Sequence, residues 1–397
     1  MKLAERLHSF TEPQTLRMAK LARELRAEGA DIIDLSLGEP DFCTPRHICE
    51  AATKAMADCY TKYPPVAGFL ELREAVCRKL KRDNSLSYEP NQIIVSTGAK
   101  QCLANLAMCV INPGDEVIIP TPYWVTYSSL VQLAEGTPVF AHCGIEQQFK
   151  LKPEQLEAAI TPRTRMFIFS SPCNPTGSVY SYEELKALAA VFAKHPEIVV
   201  VSDEIYEYIN FTGGKHESIA QFEEIKDQVV VVNGFSKGFA MTGWRLGYMA
   251  APLPLAQACD KLQAQFTSGA NSVAQRAAIT ALDADLTPTR EMTRAFHERR
   301  DYMIPALRSI EGMQVAEPEG AFYAFPNISH YFGKSNGTYT IQNDEEMSMY
   351  LLHEAHISSV NGGAFGNENC IRFSFANSMD NLKRAMERLE KALGQLQ

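Results

Sequence analysis

Lys237 and Arg245 stand close together in the run Asn233-Gly-Phe-Ser-Lys-Gly-Phe-Ala-Met-Thr-Gly-Trp-Arg-Leu-Gly247. The lysine sits among small residues, directly after Val229–Val232, an apolar run that reads as a buried strand. An amine at a strand's mouth becomes nucleophilic where the site is apolar enough to disfavour its ammonium form. It can then condense with an aldehyde, while a nearby arginine holds a phosphate. A lysine in a glycine-rich loop is more often merely solvated, so the chemical reading needs partners elsewhere in the chain.

Such partners are expected at the carboxyl ends of strands, where ligands collect in open parallel sheets. After Ile93–Val95 comes Ser96-Thr-Gly-Ala-Lys100, which reads either as a plain strand-to-helix turn or as a phosphate cup made by Gly98, Ala99 and Lys100. Gly-Ala-Lys-Gln lacks the Walker ending, and no G-x-G-x-x-G occurs. After Val117–Ile119 comes Trp124, one of 2 tryptophans, which could stack on a flat ring. After Met166–Phe169, Asn174 precedes a proline and is held extended with its amide available. After Ile198–Val201, Asp203 follows four apolar residues and needs a cationic partner to stay ionised. Each feature alone is more often structural. Together they supply an amine, an anion cup, an aromatic platform and a buried acid, a set that suits pyridoxal phosphate.

The elements that must position these residues follow from periodicity. Apolar runs at 93–95, 117–119, 138–140, 166–169, 198–201 and 229–232 alternate with helical segments such as 100–110, 124–133, 182–194 and 255–266. Strands that are apolar without a two-residue period indicate a mostly parallel sheet covered by helices on both faces, an α/β fold. This large domain is expected over 45–285. A long helix over 289–309, strand-like pieces at 321–325, 357–360 and 371–375 and a helix over 380–393 predict a smaller α+β domain from 286–397 joined by 1–44. Helices are also expected over 15–28, 45–58 and 69–81. Between the last two lies Tyr60-Thr-Lys-Tyr-Pro-Pro-Val-Ala-Gly68, a proline-stiffened loop that offers the Tyr63 hydroxyl.

Composition narrows the function classes. The 397 residues are 46% hydrophobic and 21% charged, as in an ordinary globular protein, and the net charge of −9 argues against a nucleic-acid or anionic-membrane surface. Positive groups that bind substrate must therefore be local. No run approaches the length of a membrane span, and the charged start Met1-Lys-Leu-Ala-Glu-Arg-Leu-His8 predicts no signal peptide. The 10 cysteines, scattered without a C-x-x-C pair, predict a reduced, cytoplasmic protein. His353 and His356, on one expected helix, lack a third ligand, so no metal site is expected.

Ser171-Pro-Cys-Asn-Pro-Thr-Gly177, Asp203-Glu-Ile-Tyr206, Ser236-Lys-Gly-Phe-Ala-Met-Thr-Gly-Trp-Arg-Leu-Gly247 and Ile371-Arg-Phe-Ser-Phe375 resemble the signatures of the class I aminotransferases, which are fold type I pyridoxal-phosphate enzymes. Over nearly its whole length the chain is most similar to the bacterial aspartate aminotransferases with Gly-Ala-Lys in the phosphate loop.

The resemblance implies roles. Lys237 would hold the cofactor as an imine and then move a proton between the substrate Cα and the cofactor. Asp203 would pair with the ring nitrogen, Tyr206 and Asn174 with the ring oxygen, and Trp124 would stack on the ring. Gly98, Ala99, Lys100, Ser236 and Arg245 would bind the phosphate with Tyr63 of a second subunit, which implies a homodimer with shared active sites. Arg372 would take the substrate α-carboxylate, with the Gly38 backbone closing over it. Lys100 would also read a distal carboxylate, favouring amino transfer between aspartate and 2-oxoglutarate. A serine that assists in many relatives is replaced around Pro13. An aromatic-amino-acid or prephenate aminotransferase carries the same motifs. A lyase acting on a sulfur-containing amino acid would begin with the same carbanion, and a noncatalytic cofactor sensor would need a DNA-binding module for which there is no room before residue 14.

Overall fold

The computed structural model describes residues 4–8 and 13–397. Its strands in chain order are β1 (Ile33–Asp34), β2 (Ile93–Ser96), β3 (Glu116–Thr121), β4 (Thr137–His142), β5 (Thr164–Ser170), β6 (Val199–Asp203), β7 (Val229–Gly234), β8 (Gly247–Ala250), β9 (Tyr323–Ala324), β10 (Ile357–Ser358), β11 (Val360–Asn361) and β12 (Ile371–Ser374). Its α-helices are α1 (Gln14–Ala27), α2 (Arg46–Ala57), α3 (Leu70–Asn84), α4 (Ala99–Val110), α5 (Thr126–Leu133), α6 (Pro153–Ala159), α7 (Tyr182–Phe192), α8 (Leu253–Phe266), α9 (Ser272–Asp283), α10 (Thr287–Ser309), α11 (Asp344–Glu354) and α12 (Met379–Leu393). Among the described residues no helix is long and apolar enough to cross a membrane.

The four valines of β7 are fully buried. Val229 and Val231 pack on one face of the sheet against α3, α7 and α9, through Leu72, Leu188 and Ala278. Val230 and Val232 pack on the other against α4 and α5, through Leu103 and Val131. Both faces are therefore dry, which is why the run has no alternation to read. The seven strands are ordered β2-β8-β7-β6-β5-β3-β4. From β4 through β3, β5 and β6 to β7 every pair is parallel.

Strand β8 was not expected. It runs antiparallel to both β2 and β7, and its short Gly-Tyr-Met-Ala sequence reads as a continuation of the preceding loop. Its order comes from two neighbours rather than from propensity. Gly234 faces Gly247 across β7 and β8, and a methyl on Gly234 would lie 2.9 Å from the Gly247 Cα, so the close approach excludes larger residues. Helix α5 starts at Thr126 rather than at Trp124, leaving the indole on the loop that follows β3.

The carboxy-terminal part forms an antiparallel sheet ordered β11-β12-β9, backed by α10, α11 and α12 through Phe296, Leu351 and Leu389. Strand β1 crosses to this part and pairs in parallel with β10, Ile33 opposite Ile357. The single strand expected over 357–360 is broken into β10 and β11. His353 and His356 do not share a helix face: α11 ends at Glu354, and His356 lies beyond it with a left-handed φ of +56°.

Candidate active site

A cleft of about 420 Å³ opens beyond the carboxyl ends of β3, β5, β6 and β7, with walls from the β1–α2 loop, β9 and β12. Lys237 stands three residues past β7 and lines the cleft. It donates a hydrogen bond to the Gly38 carbonyl and lies 5.7 Å from the Tyr206 ring centroid and 5.8 Å from that of Phe322. Burial pushes it down to about 8; the Glu39 charge opposes this, and those of Arg372 and Arg245 reinforce it. Near neutral pH a usable fraction of this amine is therefore unprotonated.

Asp203 closes β6. Burial pushes its carboxyl up to about 6, against hydrogen bonds from the Tyr127 hydroxyl at 2.7 Å and the Ile205 amide at 3.3 Å. A cation facing this carboxyl would pull it back into the ionised range.

Positive charge collects at two separate places. Gly98, with φ of +81°, caps the start of α4, where the first amides have no intrahelical acceptor. The Arg245 guanidinium lies over it, so that a methyl on Gly98 would fall 2.5 Å from Nη2. Arg245 has a left-handed φ of +53°, strain that a non-glycine residue holds only where its surroundings require it. Lys100 reaches the same region, 4.9 Å from the Trp124 ring, and is lowered by burial and then by the Arg245 charge. Helix terminus, guanidinium and ammonium together form an anion site.

The second place is Arg372 on β12, 1% exposed and clamped between aromatic rings, 4.5 Å from Tyr323 and 4.9 Å from Phe365. It donates to Asn174 Oδ1 at 3.0 Å and to the Ser36 carbonyl at 2.6 Å, while its Nε has no hydrogen-bond partner. A buried guanidinium with a spare N–H and only neutral partners suits a carboxylate.

Of the residues singled out from sequence, Gly38, Ala99, Lys100, Trp124, Asn174, Asp203, Tyr206, Ser236, Lys237, Arg245 and Arg372 all line this cleft. Gly98 caps its edge, and Tyr63 lies outside it, 97% exposed. The Arg372 guanidinium donates to the Ser36 carbonyl, the Lys237 ammonium to the Gly38 carbonyl, and the Tyr206 hydroxyl meets that of Tyr323 at 2.7 Å.

Sequence reasoning missed Tyr127, Tyr323, Ser36 and Thr15, which also line the cleft. Tyr127 lay within reach, three residues past the strand-end Trp124. The other three come from outside the large sheet, where no strand-end rule points.

Among the described residues one triplet, Glu204, Glu207 and His216, is close enough to hold a metal. Its cation positions are taken: the Lys79 ammonium pairs with Glu207, and His216 Nε2 lies 3.1 Å from Glu204.

A flat, phosphorylated aldehyde fits the cleft's donor set, with an amine for its carbon, an indole for its ring and a cationic cup for its phosphate. The family model for aminotransferase class I and II matches residues 30–389. An aspartate/prephenate aminotransferase of Nitrosomonas europaea is 46% identical, covering 99% of this chain and 100% of its own. The solved aspartate aminotransferase from Rhizobium meliloti superposes with a TM-score of 0.97 at 40% identity, over 100% of both chains. The Thermus thermophilus aspartate aminotransferase with maleate does so with 0.93 at 37% identity, over 99% of this chain and 100% of that one.

Proposed function

Because the chain belongs to the class I and II aminotransferases, we propose that it uses pyridoxal phosphate to move the amino group of L-aspartate to 2-oxoglutarate. The observation that carries the dicarboxylic preference is that the cleft holds two cations besides Arg245. Arg372 is buried with a spare N–H, and Lys100 lines the same cleft over Trp124, its ammonium free for a second anionic group where Arg245 and the helix terminus hold the phosphate. One suits the α-carboxylate and the other a distal carboxylate. Prephenate also carries two carboxylates, so the same pair supports it as a second amino acceptor, in keeping with the name of the Nitrosomonas relative.

When bound, the cofactor supplies an aldehyde for imine formation and a cationic ring that accepts electron density from the substrate Cα. Arg245, Ser236 and the amides at the start of α4 would hold its phosphate, and Trp124 would cover its ring. Asp203 would keep the ring nitrogen protonated, and Tyr206 with Asn174 would face the ring oxygen. Lys237 would take the substrate Cα proton at Nζ and return it to the cofactor carbon on the far side of the substrate nitrogen, two atoms further along. Its low affinity for protons suits a base that must be neutral before it acts.

The same reading places Tyr63 of a second copy against the phosphate of the first, in a homodimer. The near-complete exposure of the Tyr63 ring supports this reading. A large domain at 45–285, with 1–44 and 286–397 as the small one, is supported by a core that joins Ile33 and Leu35 to 292–396 and takes from the large domain only Tyr206, Ile209 and Phe211 as its buried members. Cytoplasmic placement is supported by 10 free cysteines.

The test is the visible spectrum of the purified protein reconstituted with pyridoxal phosphate, then titrated with single amino acids without a keto acid. Colour bleached by aspartate and glutamate, and absent from Lys237→Ala, is expected. Bleaching mainly by phenylalanine would overturn the dicarboxylic preference, and a covalent cofactor in Lys237→Ala would overturn the role of the lysine. Release of pyruvate and ammonia would indicate a lyase instead.

A further inference from the structure

Tyr323 lies where three parts of the cleft meet. Its ring lies under the Arg372 guanidinium, 4.5 Å from it, and its hydroxyl is 2.7 Å from that of Tyr206. That hydroxyl also points at Gly38, where an added methyl would come within 2.9 Å. Register explains the stacking. Tyr323 pairs with Ser374 across β9 and β12, and Arg372 lies two residues further along β12, on the same face. Both phenols are buried, 0% and 4% exposed, so each hydroxyl must find its partner within the protein.

We propose that Tyr323 is a positioning residue: its hydroxyl donates a hydrogen bond to Tyr206, which leaves the single Tyr206 proton free to point into the cleft. Two phenols at this distance share one hydrogen bond, and either could donate. The Arg372 guanidinium lies 4.5 Å from the Tyr323 ring, closer than the Lys237 ammonium lies to the Tyr206 ring at 5.7 Å, and the nearer cation polarises the Tyr323 O–H more and favours it as the donor. With its lone pair engaged, Tyr206 becomes a stronger donor to whatever faces it, since hydrogen bonds in a chain reinforce one another. Tyr323 thereby joins the carboxylate place at Arg372 to the hydrogen-bond donor at Tyr206. No chemical step is assigned to it.

The inference rests on the cofactor reading above, in which Tyr206 faces the ring oxygen, and is tested on the reconstituted enzyme by following the bound cofactor's visible absorbance against pH. Tyr323→Phe keeps the ring under Arg372 and removes only the hydroxyl. The weaker Tyr206 donor should raise the midpoint of that titration by roughly half to one unit, the worth of one neutral hydrogen bond. Tyr323→His, which retains a donor, should return it toward the parent value. In a Tyr206→Phe background the further change Tyr323→Phe should shift nothing. Affinity for succinate, a dicarboxylate without an amino group, should stay within about twofold in Tyr323→Phe because the stacking survives, and fall in Tyr323→Leu.

A midpoint unmoved by Tyr323→Phe would overturn the inference, as would an equal shift with and without the Tyr206 hydroxyl. Absence of any coloured complex in the parent would instead sink the cofactor reading, so the two failures are separable. Should Tyr323→Phe not fold, the comparison of Tyr323→His with the parent and with Tyr206→Phe carries the same decision: a midpoint in Tyr323→His displaced as far as in Tyr206→Phe overturns the relay.

Discussion

The Tyr127 hydroxyl donates to Asp203 Oδ2 at 2.7 Å, and in doing so favours the ionised form of a carboxyl that burial otherwise pushes up to about 6. The bond reaches from the first turn of α5, which follows β3, to the end of β6, with β5 between those two strands in the sheet. Helix position thus sets the charge of the acid proposed to face the cofactor ring.

Tyr127→Phe should therefore raise the Asp203 pKa further, by about one to two units if a bond to a charged group is worth roughly 1.5 to 3 kcal/mol. The sign follows from the proton balance. A carboxyl that must be ionised to bind has to release its proton below its pKa, so affinity for pyridoxal phosphate falls as pH drops through that value. In the parent the fall should begin near 6. In Tyr127→Phe it should begin at a higher pH, with the two proteins converging at alkaline pH. Equilibrium binding measured across pH decides it, and identical profiles would show that the hydroxyl does not set this charge.

Behind Asp203 and Tyr206, the neighbouring acids are anchored in the core. Glu207 pairs with Lys79 of α3 and accepts from Asn84 at 3.0 Å, and both charged side chains are 3% exposed or less. Lys79→Met would strand an unpaired carboxylate there and should cost about 3 to 5 kcal/mol, whereas Lys79→Met with Glu207→Gln should recover most of it. Denaturant midpoints of the three proteins test this, and a double variant no better than the single would show that packing of the lysine stem, not charge, holds the segment.

How far the sequence announced this arrangement depends on where each residue's partner lies. Five of the six anticipated sheet strands, β2, β3, β5, β6 and β7, were legible because burial on both faces leaves an uninterrupted apolar run, as in Val229–Val232, whereas β4 is a partly exposed edge strand. Lys237, Asp203, Asn174 and Trp124 were legible because each follows such a run directly. Strand β8 was not, since its order is imposed by β2 and β7 rather than by its own residues. Tyr323 was not, because its place depends on β9 pairing with β12, a contact between segments about fifty residues apart. His356 was misjudged for a local reason: a left-handed residue after Ala355 ends a helix whose polar pattern continues past it.

The two cationic places make a quantitative claim about selectivity. If Lys100 reads a distal carboxylate, Lys100→Ala should lose activity with aspartate beyond its loss with phenylalanine by about 1.5 to 3 kcal/mol, roughly 10- to 150-fold in kcat/KM. Phenylalanine has nothing for the ammonium to bind and supplies the internal reference. Equal losses on both substrates would assign Lys100 to the phosphate cup alone.

Glu39 offers a way to move the amine without touching it. The carboxylate, held by the Thr242 hydroxyl at 3.0 Å, is the largest influence raising the Lys237 pKa against burial. Glu39→Gln removes that negative charge while keeping the shape, so the ammonium becomes harder to hold and its pKa falls below about 8. Condensation with an aldehyde needs the neutral amine, so the rate of pyridoxal phosphate uptake by the cofactor-free protein should rise with pH and level off above the Lys237 pKa. In Glu39→Gln the plateau should arrive at lower pH, and uptake at pH 7 should be faster. Because Glu39 is exposed, the displacement should be only a few tenths of a unit and should shrink in about 1 M salt, where the screening length falls to roughly 3 Å. A plateau that moves equally in low and high salt would point to a change in the Gly38 carbonyl next to it, the bond that Lys237 makes in this structure.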